Sequence, residues 1–316
     1  MLLSVIIPVY NTERYLKRCL DSVFVAVAFS KVSAEVILVD NGSSDRSLEI
    51  AREFAHESPL RISVLHCHTK GAAAARNFGV PHAKGKYIWF IDADDAISEK
   101  SIKLLISKAE HSKADIVMMG VNRVYIDGHK DYLSAVDETR SDFKSRFVRY
   151  GAGPWQFIFS REFWIANDFL FKEGIIHEDM EMISSLILYT NKFAHVDKPL
   201  YIYYQNEGSV LHKLKWDPHY LDIFPALSGL YSRFSKIGAS SEYHDELEWF
   251  FIWNLLIDSA SDFAKFPEGK VGFKKSREML SKYFPNWRKN RFLREKPLKL
   301  RIRVRLNYHK KQRFFA

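Results

Sequence analysis

The sequence has few cysteines and no long apolar run, and these absences exclude several classes of protein. With only Cys19 and Cys67 in 316 residues, a disulfide framework cannot hold the chain together. Both lie in apolar patterns, which predicts reduced core residues in a cytoplasmic protein. No run reaches the roughly 18 apolar residues of a transmembrane helix. The apolar start, residues 2–9, lacks a basic flank and a cleavage site, so we expect a strand rather than a signal peptide.

Two common nucleotide-binding signatures are also absent. No GxGxxG follows the first apolar run, and no GxxxxGK[ST] occurs anywhere in the chain. The dinucleotide fingerprint and the P-loop are therefore excluded. Any nucleotide bound by this chain has to be held by carboxylates, a metal and a few basic groups.

Basic charge is concentrated at the C-terminal end. The net charge is +9, but residues 286–316 contain 12 Lys or Arg and one acidic residue, which leaves a net charge of −2 for the preceding residues. Because binding to a phosphate backbone needs a basic surface, this distribution argues against a nucleic-acid-binding body.

Hydrophobic patterning predicts an α/β fold. Apolar, β-branched runs alternate with segments of helical periodicity over the first 120 residues, which predicts a Rossmann-like, mostly parallel sheet flanked by helices. Further strands are expected at 155–159 and 193–204, around a helix at 178–189, and the chain turns mostly helical from residue 216. We therefore expect a catalytic domain over 1–210, a helical region over 211–285 and a basic tail over 286–316.

Carboxylates follow two of the predicted strands. Asp40 ends the second strand, and Asp92, Asp94 and Asp95 follow the fourth. Ligands of parallel sheets bind at the carboxyl ends of the strands. Two carboxylates one residue apart in a turn can hold Mg²⁺ or Mn²⁺, which prefer oxygen ligands. Asp is also common in ordinary turns, but four acidic residues at one edge favour a metal site.

Four motifs follow one another along the first third of the chain: SVIIPVYN at 4–11, VILVDNGSSD at 36–45, ARNFG at 75–79 and GKYIWFIDADD at 85–95. In this order and spacing they resemble family 2 glycosyltransferases with the GT-A fold, of the bacterial capsule or lipopolysaccharide type. The resemblance implies a metal-dependent enzyme that moves a hexosyl or N-acetylhexosaminyl group. The donor would be a nucleotide-sugar, with a UDP-sugar favoured, and the acceptor a hydroxyl of a glycan or lipid-linked glycan in surface polysaccharide synthesis.

The resemblance also assigns roles to residues of the first three motifs. Pro8, Tyr10 and Asn11 match a loop that contacts the base and ribose. Asp40 matches the carboxylate that accepts the uracil imide N–H, and Arg76 lies where a basic residue helps to hold the nucleotide.

The fourth motif contains the family's Asp-x-Asp element. Asp92 matches its first carboxylate, near the ribose, and Ala93 lies between the two within the nucleotide-sugar site. Asp94 matches the ligand of a Mn²⁺ or Mg²⁺ ion that bridges the diphosphate. The family often has Asp at the position of Asn41, so this chain keeps the first acidic residue of that pair, Asp40, and varies the second.

A later acidic motif, EGIIHEDMEM at 173–182, resembles the family's Glu-Asp element, whose Asp is the catalytic base. That residue is Asp179 here. An attacking hydroxyl must lose its proton, and a carboxylate within about 3 Å can accept it. A single base opposite the leaving group predicts inversion. The alternative is that Glu178 and Asp179 stabilise the start of a helix, and the two roles are compatible.

Two further residues are candidates with an ordinary alternative. His212 follows a loop near the place where related enzymes close over the diphosphate, so it is a candidate for contact with metal or phosphate. A lone His is nevertheless more often structural, and the histidine spacing matches no zinc pattern. Trp155 resembles an acceptor-side Trp that stacks on a sugar ring, and core packing explains it equally well.

The C-terminal end reads LKLRIRVRL at 298–306, a strict alternation that predicts a strand with one basic face. Large apolar residues among basic ones suit an anionic membrane surface. This predicts a cytoplasmic protein attached peripherally to the inner face of the cell membrane, with a solvated or disordered basic end as the alternative.

Outside this function, two other classes stay open from the sequence. A nucleotidyltransferase shares the carboxylate–metal chemistry but usually has a first loop rich in Gly and Lys, where this chain has PVYN. A non-catalytic protein that binds nucleotide-sugars or nucleic acid is the other. Asp94 and Asp179 argue against a non-catalytic role in binding nucleotide-sugars. The near-neutral charge of residues 1–285 argues against binding of nucleic acid.

Overall fold

The computed structural model describes residues 1–206 and 215–309 and confirms the α/β fold. Within these ranges the strands are β1 (Leu3–Val9), β2 (Ala34–Asp40), β3 (Arg61–His66), β4 (Tyr87–Phe90), β5 (Ala96–Ile97), β6 (Ile116–Val124), β7 (Lys130–Leu133), β8 (Phe157–Ser160) and β9 (Phe193–Tyr204). The helices are α1 (Leu16–Ser30), α2 (Ser47–Glu57), α3 (Ala72–Gly79), α4 (Ser101–Ser112), α5 (Phe143–Tyr150), α6 (Arg161–Ala166), α7 (Glu178–Ile183), α8 (Ile223–Lys236), α9 (His244–Trp253), α10 (Ser259–Phe263), α11 (Lys270–Tyr283), α12 (Arg291–Arg294) and α13 (Leu298–His309).

The strands form one sheet with the order β3-β2-β1-β4-β8-β6-β9-β5, and β7 pairs with β6. The first four strands form a parallel block, in which β1 pairs with β2 and β4, and β2 pairs with β3. β8 runs antiparallel to β4 and β6, and β6 and β9 are parallel again. The carboxyl ends of the parallel block therefore meet at one edge, where the acidic residues lie.

Burial explains why these segments become strands and helices. β1, β2 and β4 are almost entirely buried, as expected for parallel strands covered on both faces. Helix α1 packs one face on the sheet through residues at helical spacing, namely Leu16, Cys19, Leu20, Val23, Ala26 and Val27. Cys19 and Cys67 are both free and buried, in agreement with the sequence prediction of reduced core residues.

A buried polar network ties the turn before β4 to the first two strands. The Ser4 hydroxyl donates to Glu35 Oε1 at 2.7 Å and accepts from the Gly85 N–H at 2.8 Å. The Lys84 N–H donates to the same Glu35 oxygen at 2.7 Å. Because the network is buried, these hydrogen bonds replace the ones that the same groups make with water in the unfolded chain.

Gly85 is required because the backbone of β1 passes directly over it. A Cβ at this position would lie 2.4 Å from the backbone nitrogen of Ser4, which cannot move without distorting the strand. We expect Gly85→Ala to destabilise the protein by about 1–3 kcal/mol, measured by denaturant unfolding. Lys84→Ala, at the exposed neighbouring position, is the control, and equal midpoints for the two variants would contradict this account.

The chain divides into two compact units. The first contains Met1–Phe143, Ala152–Gly174 and the segment from Tyr189 that carries β9, so it includes every described strand. The second contains Lys144–Gly151, Ile175–Leu188 and the described residues from 215 onward. Two segments within residues 1–210 are thus grouped with the helical C-terminal residues, and the expected domain bounds at 210 and 285 stay a prediction.

The predicted strand at 298–306 is wrong, because these residues form helix α13. Val304 is fully buried, Asn307 Nδ2 donates to the Leu256 carbonyl at 2.8 Å, and the rings of Tyr308 and Trp287 lie 5.0 Å apart. A strand needs a partner strand for its backbone groups, and the described residues of the second unit contain none. Upstream, Trp287, Phe292 and Leu293 are buried, so residues 286–309 are part of a folded unit.

None of the helices in the described ranges is both long and apolar enough to span a membrane.

Candidate functional site

The loops after β1 and β2 are held together by Asn11. Its backbone adopts a left-handed conformation, with φ of 50°, and its side-chain oxygen accepts the Ser44 N–H at 2.8 Å. In return, the Asn11 N–H donates to the Ser43 hydroxyl at 3.3 Å. Tyr10 projects from the same loop with 52% of its surface exposed, and Pro8 is half-buried on β1 opposite Val39. This arrangement leaves the Tyr10 ring free to stack on a planar base.

Asp40 ends β2 as a buried carboxylate with several donors. It accepts the Gly42 N–H at 3.1 Å, the Ser43 N–H at 3.2 Å and a contact of 2.9 Å with His66 Nδ1. Burial raises the pKa of the Asp40 carboxyl, but the hydrogen bonds from Ser43, His66 and Gly42 outweigh it, so that the net pKa lies below its usual value. Asp40 is therefore an ionised acceptor at the strand end.

Sequence reasoning missed His66 as a member of this site. It ends β3 directly opposite Asp40 in the parallel register, so the strand pairing alone places the two side chains together. The signal was its position near the end of the apolar run that follows the acidic end of the second strand along the chain.

Arg76 and Asp92 are brought together as an ion pair. Arg76 lies on α3, is buried, and places Nη2 at 2.8 Å from Asp92 Oδ1 and its guanidinium carbon at 5.4 Å from the centre of the Phe171 ring. Its observed role is to hold the first carboxylate of the Asp-Ala-Asp element. Direct contact of Arg76 with a nucleotide stays a prediction.

Asp94 has less charge compensation than Asp92. Asn206 Nδ2 donates to Asp94 Oδ2 at 3.1 Å, and Arg18 Nη2 donates to the Asp94 backbone carbonyl. Burial is the main cause that raises the pKa of the Asp94 carboxyl, and the neighbouring charge of Asp92 raises it further. A bound cation would offset both effects. Ala93, between the two carboxylates, is buried and small.

Asp95, the fourth acidic residue of the edge, has a structural role. It is buried and accepts the Tyr201 hydroxyl at 2.7 Å and the Tyr204 N–H at 2.8 Å. Burial, followed by the charges of Asp94 and Asp92, raises the pKa of the Asp95 carboxyl well above its usual value. Asp95 therefore fastens the acidic loop to β9.

The donor set around Asp94 fits a metal that takes most of its ligands from substrate. Two clusters of three potential ligands occur in the described ranges, and neither includes the Asp-Ala-Asp element. The Asp94 side chain can offer a metal ion one or two carboxylate oxygens. Mg²⁺ commonly binds through one or two carboxylates together with substrate phosphates and water, so the hard oxygen donor at Asp94 is compatible with such an ion.

Arg18 and Asn206 are further residues that sequence reasoning missed. Besides its contact with the Asp94 backbone, Arg18 places its guanidinium 3.6 Å from the centre of the Tyr204 ring. Both residues come from elements distant in sequence from the acidic loop, on α1 and after β9. No local motif marks them, so only the folded sheet reveals that they surround Asp94.

Trp155 belongs to an aromatic stack beside this loop. Its ring stacks on Tyr201 at 4.7 Å and lies 5.6 Å from Tyr203. Its backbone carbonyl accepts the Trp89 indole N–H at 2.8 Å. These contacts support the packing role, while the half-buried ring leaves sugar stacking as a prediction.

The Glu178–Asp179 pair lies in the second unit, in the first turn of α7. His177 precedes the helix in a left-handed conformation, with φ of 70°. The Ile176 N–H donates to Asp222 Oδ2 at 3.0 Å, and Glu181 pairs with Arg233 at 3.2 Å. The placement fits stabilisation of a helix start, and the role of Asp179 as a base stays a prediction. His212 lies outside the described residues.

Comparison with known proteins agrees with this geometry. Residues 4–172 match the model of glycosyl transferase family 2. The uncharacterized glycosyltransferase EpsJ of Bacillus subtilis is 30% identical over 257 residues, which cover 76% of this chain and 73% of EpsJ. Poly(ribitol-phosphate) beta-N-acetylglucosaminyltransferase TarS of Staphylococcus aureus is 28% identical over 66% of this chain and 36% of TarS.

Solved structures show the same fold. The structure of TarS residues 1–349 superposes with a TM-score of 0.70 at 18% identity, covering 98% of this chain and 89% of that one. The same part of TarS has been solved with UDP-GlcNAc, with a TM-score of 0.65. The mannosyltransferase PcManGT of Pyrobaculum calidifontis, solved with GDP-Man and Mn²⁺, superposes with a TM-score of 0.53 at 15% identity, covering 97% and 86% of the two chains. The chain therefore belongs to glycosyl transferase family 2 and has the GT-A fold.

Proposed function

We propose that this protein transfers a sugar with inversion from a UDP-sugar to an acceptor hydroxyl, in a reaction that depends on a divalent metal. The observation that carries the proposal is the edge of the parallel block, where the neighbouring strands β2, β1 and β4 end at Asp40, just before the exposed Tyr10 and just before the Asp-Ala-Asp element. UDP-GlcNAc bound to TarS supports a UDP-sugar donor.

Each residue of the edge has a defined task in this proposal. Asp40, which is ionised, accepts the imide N–H of uracil, and Tyr10 stacks on the base with Pro8 and Asn11 beside it. Asp92, held by Arg76, lies toward the ribose. Asp94 would hold Mn²⁺ or Mg²⁺, which would stabilise negative charge on the diphosphate leaving group.

Asp179 takes the proton of the acceptor. As the acceptor oxygen bonds to the anomeric carbon, the bond between that carbon and the diphosphate oxygen breaks, and the hydroxyl proton passes to the Asp179 carboxylate. A single displacement of this kind inverts the anomeric centre. Glu178 stabilises the start of α7 through its charge.

The relatives suggest a class of acceptor. TarS is named for transfer of N-acetylglucosamine to poly(ribitol-phosphate), and another relative is a minor teichoic acid biosynthesis protein of Bacillus subtilis. We therefore propose a glycan or lipid-linked glycan of the bacterial surface as acceptor, and a hexosyl or N-acetylhexosaminyl group as the sugar. The buried free cysteines support a cytoplasmic location.

The identity of the donor can be tested with a panel of nucleotide-sugars. We would measure the release of free nucleotide with Mn²⁺, with Mg²⁺ and with excess EDTA. Release from UDP-sugars that depends on the metal supports the proposal. Release of inorganic diphosphate from nucleoside triphosphates would instead indicate a nucleotidyltransferase.

Binding of UDP gives a prediction that does not depend on turnover. Since a ligand that binds only the native state stabilises it by mass action, UDP at about 100 times its Kd contributes about 2.7 kcal/mol. We expect UDP with Mn²⁺ or Mg²⁺ to raise the Tm by several degrees, and UDP with excess EDTA to have little effect. CDP, whose cytosine has no imide N–H to donate to Asp40, is the matched control nucleotide. Equal stabilisation with and without metal would contradict the metal site.

A further inference from the structure

The outward face of α13 has an apolar stripe. Leu298, Ile302 and Leu306 are spaced four residues apart and therefore lie along one side of the helix. Their exposed fractions are 62%, 47% and 64%. The opposite side of α13 is packed through Val304. Three large aliphatic side chains in a continuous exposed row differ from the single exposed residues common on protein surfaces.

Basic side chains border this stripe. At 100° per residue, Lys299 and Arg303 lie along one side of it and Arg305 along the other. All three are exposed, and the structure records no ion pair for them with any residue of 1–206 or 215–309. The helix contains no acidic residue. The face thus combines unpaired positive charge with exposed hydrocarbon.

We propose that the stripe of Leu298, Ile302 and Leu306 docks on an anionic lipid surface, with α13 lying in the plane of the interface. A lipid surface matches both features, because its acyl region takes up apolar side chains and its anionic headgroups attract the bordering Lys and Arg. The inference goes beyond glycosyl transfer and does not depend on the proposed donor, metal or base.

A second copy of the chain fits this face less well. A symmetric pair would bring identical surfaces together. Lys299, Arg303 and Arg305 of one copy would then face the same three cations of the other and repel them. A helix of 12 residues is also only about 18 Å long, and one helix face is small beside the roughly 800 Å² per partner of a stable interface.

A nucleic acid fits less well for a different reason. Single strands bind where aromatic side chains stack on bases, whereas the stripe is aliphatic and would stay in water beside a phosphate backbone. Anionic lipid is the partner that removes the aliphatic side chains from water.

The test is cosedimentation of the full chain with vesicles. We expect the protein to bind vesicles of equimolar phosphatidylglycerol and phosphatidylcholine at low salt, to leave them as salt rises, and to bind pure phosphatidylcholine weakly. Leu298→Ser, Ile302→Ser and Leu306→Ser combined should lower the partition coefficient by about tenfold or more. Lys299→Gln, Arg303→Gln and Arg305→Gln combined should lower it by about 100-fold, since each charge contributes about fivefold.

Matched controls remove similar groups elsewhere on the surface. Ile165→Ser, Ile237→Ser and Val271→Ser combined replace three comparably exposed aliphatic residues. Lys31→Gln, Lys100→Gln and Lys236→Gln combined remove three exposed charges. We expect both controls to keep binding within about threefold of the unsubstituted chain, given the fivefold effect of a single interfacial charge. Every variant keeps residues 310–316, and its Tm is measured to confirm folding.

The outcomes decide the proposal separately from catalysis. Loss of vesicle binding in the two α13 variants, with a Tm equal to that of the unsubstituted chain, supports it. Equal binding by the α13 variants and their controls overturns it, as does failure of the unsubstituted chain to bind anionic vesicles. A dimer in sedimentation velocity that is lost in the stripe variant would overturn it in favour of a second copy, and binding to oligonucleotides alone would do so in favour of nucleic acid.

Discussion

Asp179→Asn should lower turnover by about 10²- to 10⁴-fold, which is the usual effect of removing a general base. The amide keeps the shape of the side chain but cannot accept the proton of the acceptor hydroxyl. UDP affinity should change little, since the base serves the acceptor. Single-turnover rates with saturating donor, together with UDP titration by calorimetry, measure the two effects separately.

Glu178→Gln distinguishes this role from stabilisation of the helix start. Both residues lie in the first turn of α7, so removing either charge costs a similar, small amount of stability, about 0.3–1 kcal/mol. We expect only Asp179→Asn to lose turnover. If the two variants keep similar activity and lose similar stability, Asp179 acts through the helix and a different group is the base.

For Asp94→Ala we expect a loss of turnover of about 10³-fold or more. A metal at a reacting phosphate supplies several kcal/mol of charge stabilisation, and each 1.36 kcal/mol corresponds to a factor of ten in rate. The variant should also lose the stabilisation by UDP that depends on metal. Initial rates at several Mn²⁺ concentrations and thermal melts with UDP measure both effects.

Two controls accompany this substitution. Asp94→Asn keeps a side-chain oxygen in place but removes the charge, so we expect most of the loss to persist. Asp127→Ala removes a carboxylate from the exposed turn between β6 and β7 and should leave turnover unchanged. Wild-type rates for Asp94→Ala, or full activity of the unsubstituted chain in EDTA, would falsify the metal assignment.

The sequence predicted the sheet edge because its signals are local. The apolar run of EVILVD ends at Asp40, and YIWFI is followed directly by Asp92. A run of this kind is buried as a parallel strand wherever helices cover both faces. Once the strands are parallel, their carboxyl ends must meet. That Asp40 and the Asp-Ala-Asp loop lie at the same edge therefore follows from pattern alone, and the structure showed that β1 lies between their two strands.

Residues that act across long separations could not be found in this way. Arg18 contacts the Asp94 backbone from α1, and Asn206 contacts the Asp94 carboxylate from beyond β9. Asp95 was grouped with the other acidic residues, yet its carboxylate accepts hydrogen bonds from Tyr201 and Tyr204 of β9. Such contacts depend on the order of strands in the sheet, which local periodicity does not specify.

The C-terminal end shows the limit of periodicity most clearly. In LKLRIRVRL every second residue is apolar, so the same letters give one apolar face of a strand or two opposite apolar faces of a helix. The sequence by itself determined the apolar and basic content of this segment, as it determined the parallel block and its acidic edge. Only the tertiary structure decided that the segment is a helix: Val304, Asn307 and Tyr308 find packing partners in the second unit, while its described residues provide no strand for the backbone to pair with.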